Sequence, residues 1–267
     1  MGSSRPIIIV AALGALLMLP AAAHEVPDPS IHHDARDGVV RLYGAGGPDT
    51  AFKKVAAVFT AETGIQVEII GGPEPTWSRK AQADADILWG TAEEDMTALL
   101  ETYTVFAWAD VTPIYLRPAI IAVRKGNPKA IHGFEDLLKP GMRIIVTEGA
   151  GVANTSGTGT WEDVAGRTGS LEDVRRFRRN IVGVGHGSGP SFQMFVAKEA
   201  DAWITWPDWP ITHPDVAEIV ELSEQRRIWR DLSLVLAPDA DPEAKRFIEF
   251  LISDRGADIM RTEGWVR

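Results

Sequence analysis

Cysteine is absent from the 267-residue sequence. That absence removes disulfides, thiolate metal sites and cysteine nucleophiles, and it fits an oxidising compartment, where a stray thiol is a liability. A lipid anchor on a cysteine is excluded with them. An excess of positive charge is also missing: 27 Lys and Arg face 37 Asp and Glu, a formal net charge of −10. Nucleic-acid binders are usually basic, so that class is set aside. Catalytic signatures are scarce too. There is no GxSxG elbow and no HExxH pair. His186 stands two residues from Ser188, which is no triad, and Glu162 and Asp163 read as first-turn acids that suit a helix dipole. No catalytic residue, cofactor or structural metal is expected.

A membrane-spanning apolar run is likewise missing. Ile7 to Leu19 is apolar but is broken by Pro20, short of the roughly 20 residues a hydrocarbon core requires. With Arg5 before it and Ala21, Ala22 and Ala23 after it, the segment has the anatomy of a cleaved secretory signal peptide over residues 1–23. Periplasmic export is therefore expected, with the mature chain starting near His24. Removing that segment loses Arg5 alone, so 26 basic residues face 37 acidic ones and the net charge becomes −11. Residues 24–38 (HEVPDPSIHHDARDG) are polar, carry two prolines and show no periodicity. They read as a flexible, solvated leader, and that reading outweighs metal binding by His24, His32, His33 and Asp34, which no rigid frame positions.

What is present is alternation of strand and helix patterns. VVRLY (39–43) reads as a strand, GAGGP as a glycine-rich turn, Asp49 to Thr63 as a helix with Phe52, Val55, Ala56 and Phe59 on one face, and IQVEII (65–70) as a second strand. Later strands are read at ADILW (85–89), RPAIIAV (117–123), MRIIVT (142–147), Ile181 to Gly185, AWITW (202–206) and LSLVLA (232–237). Leu171 to Asn180 is a basic amphipathic helix, and two more helices close the chain. The class is α/β, and two sets of glycine-rich strand-to-helix turns suggest two sheets.

The strongest chemical signal is NTSGTGTWED (154–163). Thr155, Ser156, Thr158 and Thr160 put four hydroxyls into six positions, around Gly157 and Gly159, between a strand and a helix. The first N–H groups of a helix lack internal partners and carry partial positive charge. Hydroxyls add donors, and glycines let a ligand approach the backbone. This suits a carboxylate, phosphate or sulfate group. Ordinary capping would need one hydroxyl, and no Gly-Lys-Ser/Thr makes it a nucleotide loop. Gly46 and Gly47 before the first helix, Thr91 after ADILW and Ser188 in GHGSGPS repeat the construction more weakly. Together they place helix starts at the carboxyl ends of strands, where open α/β sheets bind ligands. Arg117, at a strand start, and Arg230, just before another strand, are candidates for bidentate contact with an anion, although surface ion pairing is the commoner fate of arginine. Trp206 is a candidate cleft wall, as are Trp77 and Trp209, whereas Trp89 and Trp203 are assigned to the core.

YGAGGP, GGPEPTW, YLRPAIIAVRKGNP, EGAGVANTSGTGTWEDVAGRTG, DAWITWPDW and FLISDRGADIMRTEGW resemble, in order from about Val40 to Trp265, the accessory colonization factor C (AcfC) and PEB-antigen branch of extracytoplasmic solute-binding proteins. The resemblance implies a type II periplasmic-binding-protein fold, related to molybdate and sulfate binders, with two α/β lobes, mixed central sheets and two hinge strands. It implies lobe 1 at 39–116 plus 228–267, lobe 2 at 117–227, and hinges at RPAIIAV and LSLVLA. It further implies capture of a small anion between the lobes: a sulfate-like oxyanion, a phosphoglycerate-like metabolite or a citrate-like acid. A membrane permease of the ABC type and a second copy of the chain are the implied partners, and a surface antigen or adhesin is the alternative role. By position, the implied site residues are Gly46, Gly47, Thr155, Ser156, Gly157, Thr158 and Ser188. The chain departs from its relatives at Phe192 and Gln193, where a basic residue tends to follow the serine.

Overall fold

The computed structural model describes residues 25–44, 46–148 and 159–267. In the first half, β1 (Val39–Gly44) leads into α1 (Asp49–Thr63), which returns to β2 (Gln66–Gly71). α1 stops because Gly64 adopts a left-handed φ of 76° and donates its N–H to Thr60 O. α2 (Ser78–Asp84), β3 (Ile87–Gly90), α3 (Glu93–Thr102) and β4 (Thr112–Pro118) follow. The chain then enters a second group: β5 (Ile120–Arg124), α4 (Phe134–Leu137), β6 (Ile144–Thr147), α5 (Thr160–Gly166), α6 (Leu171–Arg179), β7 (Ile181–Gly185), α7 (Ser188–Ala197), β8 (Ala202–Thr205), α8 (Asp208–Thr212) and β9 (Ala217–Glu221). It returns through β10 (Trp229–Leu236) and ends with α9 (Pro242–Leu251) and α10 (Asp254–Thr262).

Two five-stranded sheets result, ordered β2-β1-β3-β10-β4 and β7-β6-β8-β5-β9. Their pairings correspond strand for strand. Three parallel strands are followed by two antiparallel joins, β3–β10–β4 in one sheet and β8–β5–β9 in the other. In each sheet the fourth place is taken by the strand that has just crossed from the other group. The stretch RPAIIAV, read as one strand, is in fact divided. Arg117 and Pro118 end β4, Ala119 is a buried linker, and β5 begins at Ile120 in the other sheet. The return runs through residues 222–228, and Ala119 N–H donates to Ile228 O at 2.9 Å, tying the two crossings together. LSLVLA lies inside β10, paired with β3 and β4, rather than between the sheets. β9 and α8 had no counterpart in the sequence reading.

Helices cover both faces of each sheet, which is why the central strands are nearly continuous apolar runs. In the first lobe Phe52, Val55 and Phe59 of α1 pack with Phe247 and Leu251 of α9 and Met260 of α10. Tyr43, Trp77, Met96, Leu99 and Tyr103 fill the opposite face. Each such apolar side chain contributes about 1.5–3 kcal/mol on full burial. In the second lobe, Phe134, Phe177 and Trp161 stack nearly parallel with centroids 5.6 Å apart, and Arg226 and Arg178 cap the two ends of the stack. This fixes α5, the helix that follows the hydroxyl-rich segment.

The expectation of a solvated leader needs correcting. Residues 25–38 hold no helix or strand, yet they are bonded along the first lobe. Asp28 N–H donates to Gln82, Thr102 Oγ1 donates to Glu25 O, Asp34 N–H donates to Ala83 O, and Gly38 N–H donates to Asp241. His33 sets its two ring nitrogens 3.1 Å from Asp239 Oδ2 and 3.0 Å from Ala85 O. Ala35 is fully buried. A polar composition hid this because the anchoring is by hydrogen bonds to distant residues, which periodicity cannot register. Among the described residues no group of His, Asp and Glu is arranged to hold a metal, and no helix is long and apolar enough to cross a membrane.

Candidate functional site

The carboxyl end of β4, the turn after β1 and the neighbouring strand β10 meet residues of the second lobe around one side chain, Arg117. It is 1% exposed although charged. Its guanidinium carbon lies 4.5 Å from the ring of Trp206, which follows β8, and 4.5 Å from the ring of Trp265, in the C-terminal segment. One ring comes from each lobe. Nη1 donates to Asp208 Oδ1 at 3.0 Å, at the first turn of α8. Nε and Nη2 are buried without a partner. Burial pushes the Arg117 pKa down, and the carboxylates of Asp208 and Asp95 offset only part of that. Burial likewise raises the pKa of Asp208 against the pull of Arg117.

Gly47 covers the guanidinium. Its φ of 98° favours glycine, and a Cβ there would come within 3.2 Å of Nη1 and 3.5 Å of Nη2. Gly46 is exposed at the start of the same turn, so the N-terminus of the 15-residue helix α1 stands over Arg117. At the other lobe, Thr147 Oγ1 lies 2.8 Å from Ser191 Oγ, which itself donates to Gly187 O at 2.8 Å. Those contacts hold the first turn of α7 against the end of β6. Gly185 is required there, because a Cβ would meet Ser191 Oγ at 2.3 Å. Ser188, the first residue of α7, is half-buried, and its hydroxyl has no partner among the described residues.

Arg230 sits directly across the strand pair from Arg117, so both side chains lie on one face of β10 and β4. Their fates differ. Arg230 is partly exposed and ion-paired with Asp163 of α5, a second link between the lobes. Thr91 does not present a free donor: its N–H and its hydroxyl both donate to Asp95 Oδ2, at 3.2 and 2.7 Å. Trp206 is fully buried, which makes it a floor for Arg117 and not a wall open to solvent. Trp77 is buried against Tyr43 and Tyr103 in the first lobe, and Trp209 packs with Phe192, Trp203 and His213 in the second. Phe192 therefore belongs to an aromatic cluster of the second lobe. Thr155, Ser156, Gly157 and Thr158 lie outside the described residues.

Asp208, Trp265 and the Arg230–Asp163 pair were not found from sequence. Trp265 follows the last helix, and the antiparallel bridge between Leu116 and Val266, with backbone bonds of 2.7 and 2.8 Å, helps bring it beside Arg117. Gly264, at φ 87°, makes the approach possible, since a Cβ there would meet Pro207 at 2.6 Å.

Comparison with known proteins gives a consistent picture. Residues 40–266 match the family described as bacterial extracellular solute-binding protein. PEB3 from Campylobacter jejuni is 39% identical over 85% of this chain and 99% of its own, with a TM-score of 0.80. A structure of PEB3 with L-phospholactate bound superimposes with a TM-score of 0.81. A sulfate-binding protein of Salmonella typhimurium is 26% identical over 54% of this chain, so the match spans only about half, 49%, of that relative. The molybdate-binding protein of Azotobacter vinelandii, at 13% identity and a TM-score of 0.64, shares the two-lobe α/β fold.

Proposed function

The chain belongs to the bacterial extracellular solute-binding proteins, and from that premise we propose that it captures a small anion in the cleft between its lobes, outside the cytoplasm, for uptake by an ABC-type permease. The ligand class is a sulfate-like oxyanion or a phosphorylated or multi-carboxylate metabolite. The single observation behind this reading is the buried Arg117, with two unpaired nitrogens, set under the N-terminus of α1 at the junction of the lobes. Gly46, Gly47, Arg117 and Ser188 form the proposed contact set, with Thr155, Ser156, Gly157 and Thr158 added from the sequence. Arg230 and Trp206 act through neighbours: one clasps α5, the other supports the guanidinium. Thr91 drops out, because Asp95 already takes both its donors.

Each hydrogen bond to a charged group contributes about 1.5–3 kcal/mol net. Ordering and desolvation take back much of a five- or six-bond total, which leaves room for a micromolar ligand at about −8 kcal/mol. The test is a thermal-shift screen of sulfate, phosphate, molybdate, phosphorylated acids and citrate. A ligand at 100 times its Kd stabilises the folded chain by about 2.7 kcal/mol, and a shift of about 2–4 °C per kcal/mol then predicts a rise of about 5–10 °C. A flat response across the panel at millimolar concentrations would contradict anion capture.

A further inference from the structure

We propose that the outer face of α6 docks on an anionic phospholipid membrane. The proposal does not depend on what the cleft holds. α6 buries Phe177 in the second lobe, in the stack with Phe134 and Trp161, so the helix cannot roll. At 3.6 residues per turn, Leu171, Arg175 and Arg179 face away from Phe177, with Arg176 and Arg178 on either flank. Leu171, Arg175 and Arg178 follow one another along one stripe, and all three are exposed, Leu171 by 61%. The two acids of the helix do not offset the charge. Asp173 is turned inward onto Arg226, and Glu172 meets Arg179 at 3.4 Å. Arg175 and Arg176 have no carboxylate partner among the described residues, and Arg178 lies over the Trp161 ring at 5.9 Å. Arginines of the first lobe are treated differently: Arg41, Arg79, Arg255 and Arg261 are each matched by a carboxylate.

A helix C-terminus favours cations in its last turn, which accounts for Arg176, Arg178 and Arg179. It does not account for Arg175, nor for a leucine left in water beside it. Charge selects the partner's sign. The chain carries a formal net charge of −10, so a broad anionic surface repels most of the molecule and attracts this helix, which fixes one orientation. Leu171 selects the kind of surface. A linear polyanion would pair with the arginines and leave the leucine in water, whereas the boundary between headgroups and acyl chains buries it. Basic residues beside an exposed apolar side chain are what an interfacial helix presents. The orientation also keeps the cleft clear. α6 ends where β7 begins, and Ser188 follows the other end of β7, about 16 Å away at the usual rise per residue. A docked chain can therefore still exchange ligand with the solution.

Vesicle flotation tests this, with vesicles of phosphatidylcholine alone and of phosphatidylcholine mixed equally with phosphatidylglycerol. Wild type and variants share one N-terminus, so the apolar run from Ile7 to Leu19 cancels from their comparison. An arginine near an anionic surface strengthens binding about five-fold. Wild type is therefore expected to bind the mixed vesicles at least about ten-fold more tightly than the neutral ones. Arg175→Gln with Arg179→Gln should weaken that binding about 25-fold, and Leu171→Ser about three-fold or more. These positions are exposed, so both variants should melt within about 2 °C of wild type. A wild type that does not distinguish the two vesicles overturns the proposal, and so does a folded double variant that binds as wild type does. Loss of binding in the double variant with none in Leu171→Ser points to a soluble polyanion and overturns the membrane assignment. If the double variant does not fold, Leu171→Ser decides alone. Affinities for sulfate and L-phospholactate should be the same in wild type and variants, so anion capture stands or falls separately.

Discussion

Trp265 joins the first lobe's core to the Arg117 guanidinium, and truncating it has a calculable effect. The side chain is 1% exposed and belongs to the first lobe's core, and it covers one face of the Arg117 guanidinium at 4.5 Å. A buried tryptophan removes about 150–250 Å² from water, which at about 25 cal/mol per Å² amounts to about 4–6 kcal/mol. Truncations of this kind cost about 3–5 kcal/mol in practice, and a desolvated cation–π contact adds up to about 2 kcal/mol. One contribution runs the other way. The indole Nε1 is buried without an acceptor, so its removal returns about 1–3 kcal/mol. Trp265→Ala is therefore expected to destabilise the chain by about 3–4 kcal/mol and to lower Tm by about 10 °C. Trp265→Phe keeps an aromatic face and discards the unpaired N–H, and should cost less than about 1.5 kcal/mol. Urea unfolding followed by circular dichroism measures both. A loss below about 1 kcal/mol for the alanine variant, or equal losses for the two, would refute the packing argument.

His33→Ala should cost about 1–3 kcal/mol, because its ring nitrogens contact both Asp239 and Ala85 O; a solvated leader would lose nothing, and urea melts separate the two. Asp86 supplies a pH dependence. Burial raises its pKa to about 6 against the backbone N–H bonds from Arg41 and Asp241, so between the unfolded value near 3.9 and about 6 the folded state binds the extra proton. Stability from this group is thus highest in acid and declines as pH rises through 6, by up to about 3 kcal/mol. Asp86→Asn should flatten that decline in melts taken at pH 4.5 and 7.

Local features of the fold were legible in the sequence because their causes are local. The helix from Leu171 ends at Arg179, and Ile181–Gly185 is a strand: apolar spacing and turn residues set those limits. The opening β1-α1-β2 unit follows from Phe52, Val55 and Phe59 on one face and Gly64 at its end. The matched strand order of the two sheets was invisible, because no sequence repeat accompanies it and strand pairing joins residues such as Leu88 and Val235 across most of the chain. The same reason explains the site. Arginine at 117 and tryptophan at 206 were singled out by residue type, but their stacking depends on a crossover at Ala119 that reads locally as one unbroken strand. Arg117 and Arg230 looked equivalent until the register set them side by side and gave only one of them an exposed carboxylate partner. Thr91 looked like a free donor because its acceptor, Asp95, lies one turn further on, inside the helix that follows.

Amide-resolved NMR titration of the wild-type chain with sulfate and with L-phospholactate tests anion capture at this cleft most directly. Saturable shifts concentrated at Gly46, Gly47, Ser188 and Gly189, with the Trp265 indole responding in step, are the predicted result. Saturable shifts elsewhere, with those five signals unmoved, would show that the anion binds away from the junction of the lobes.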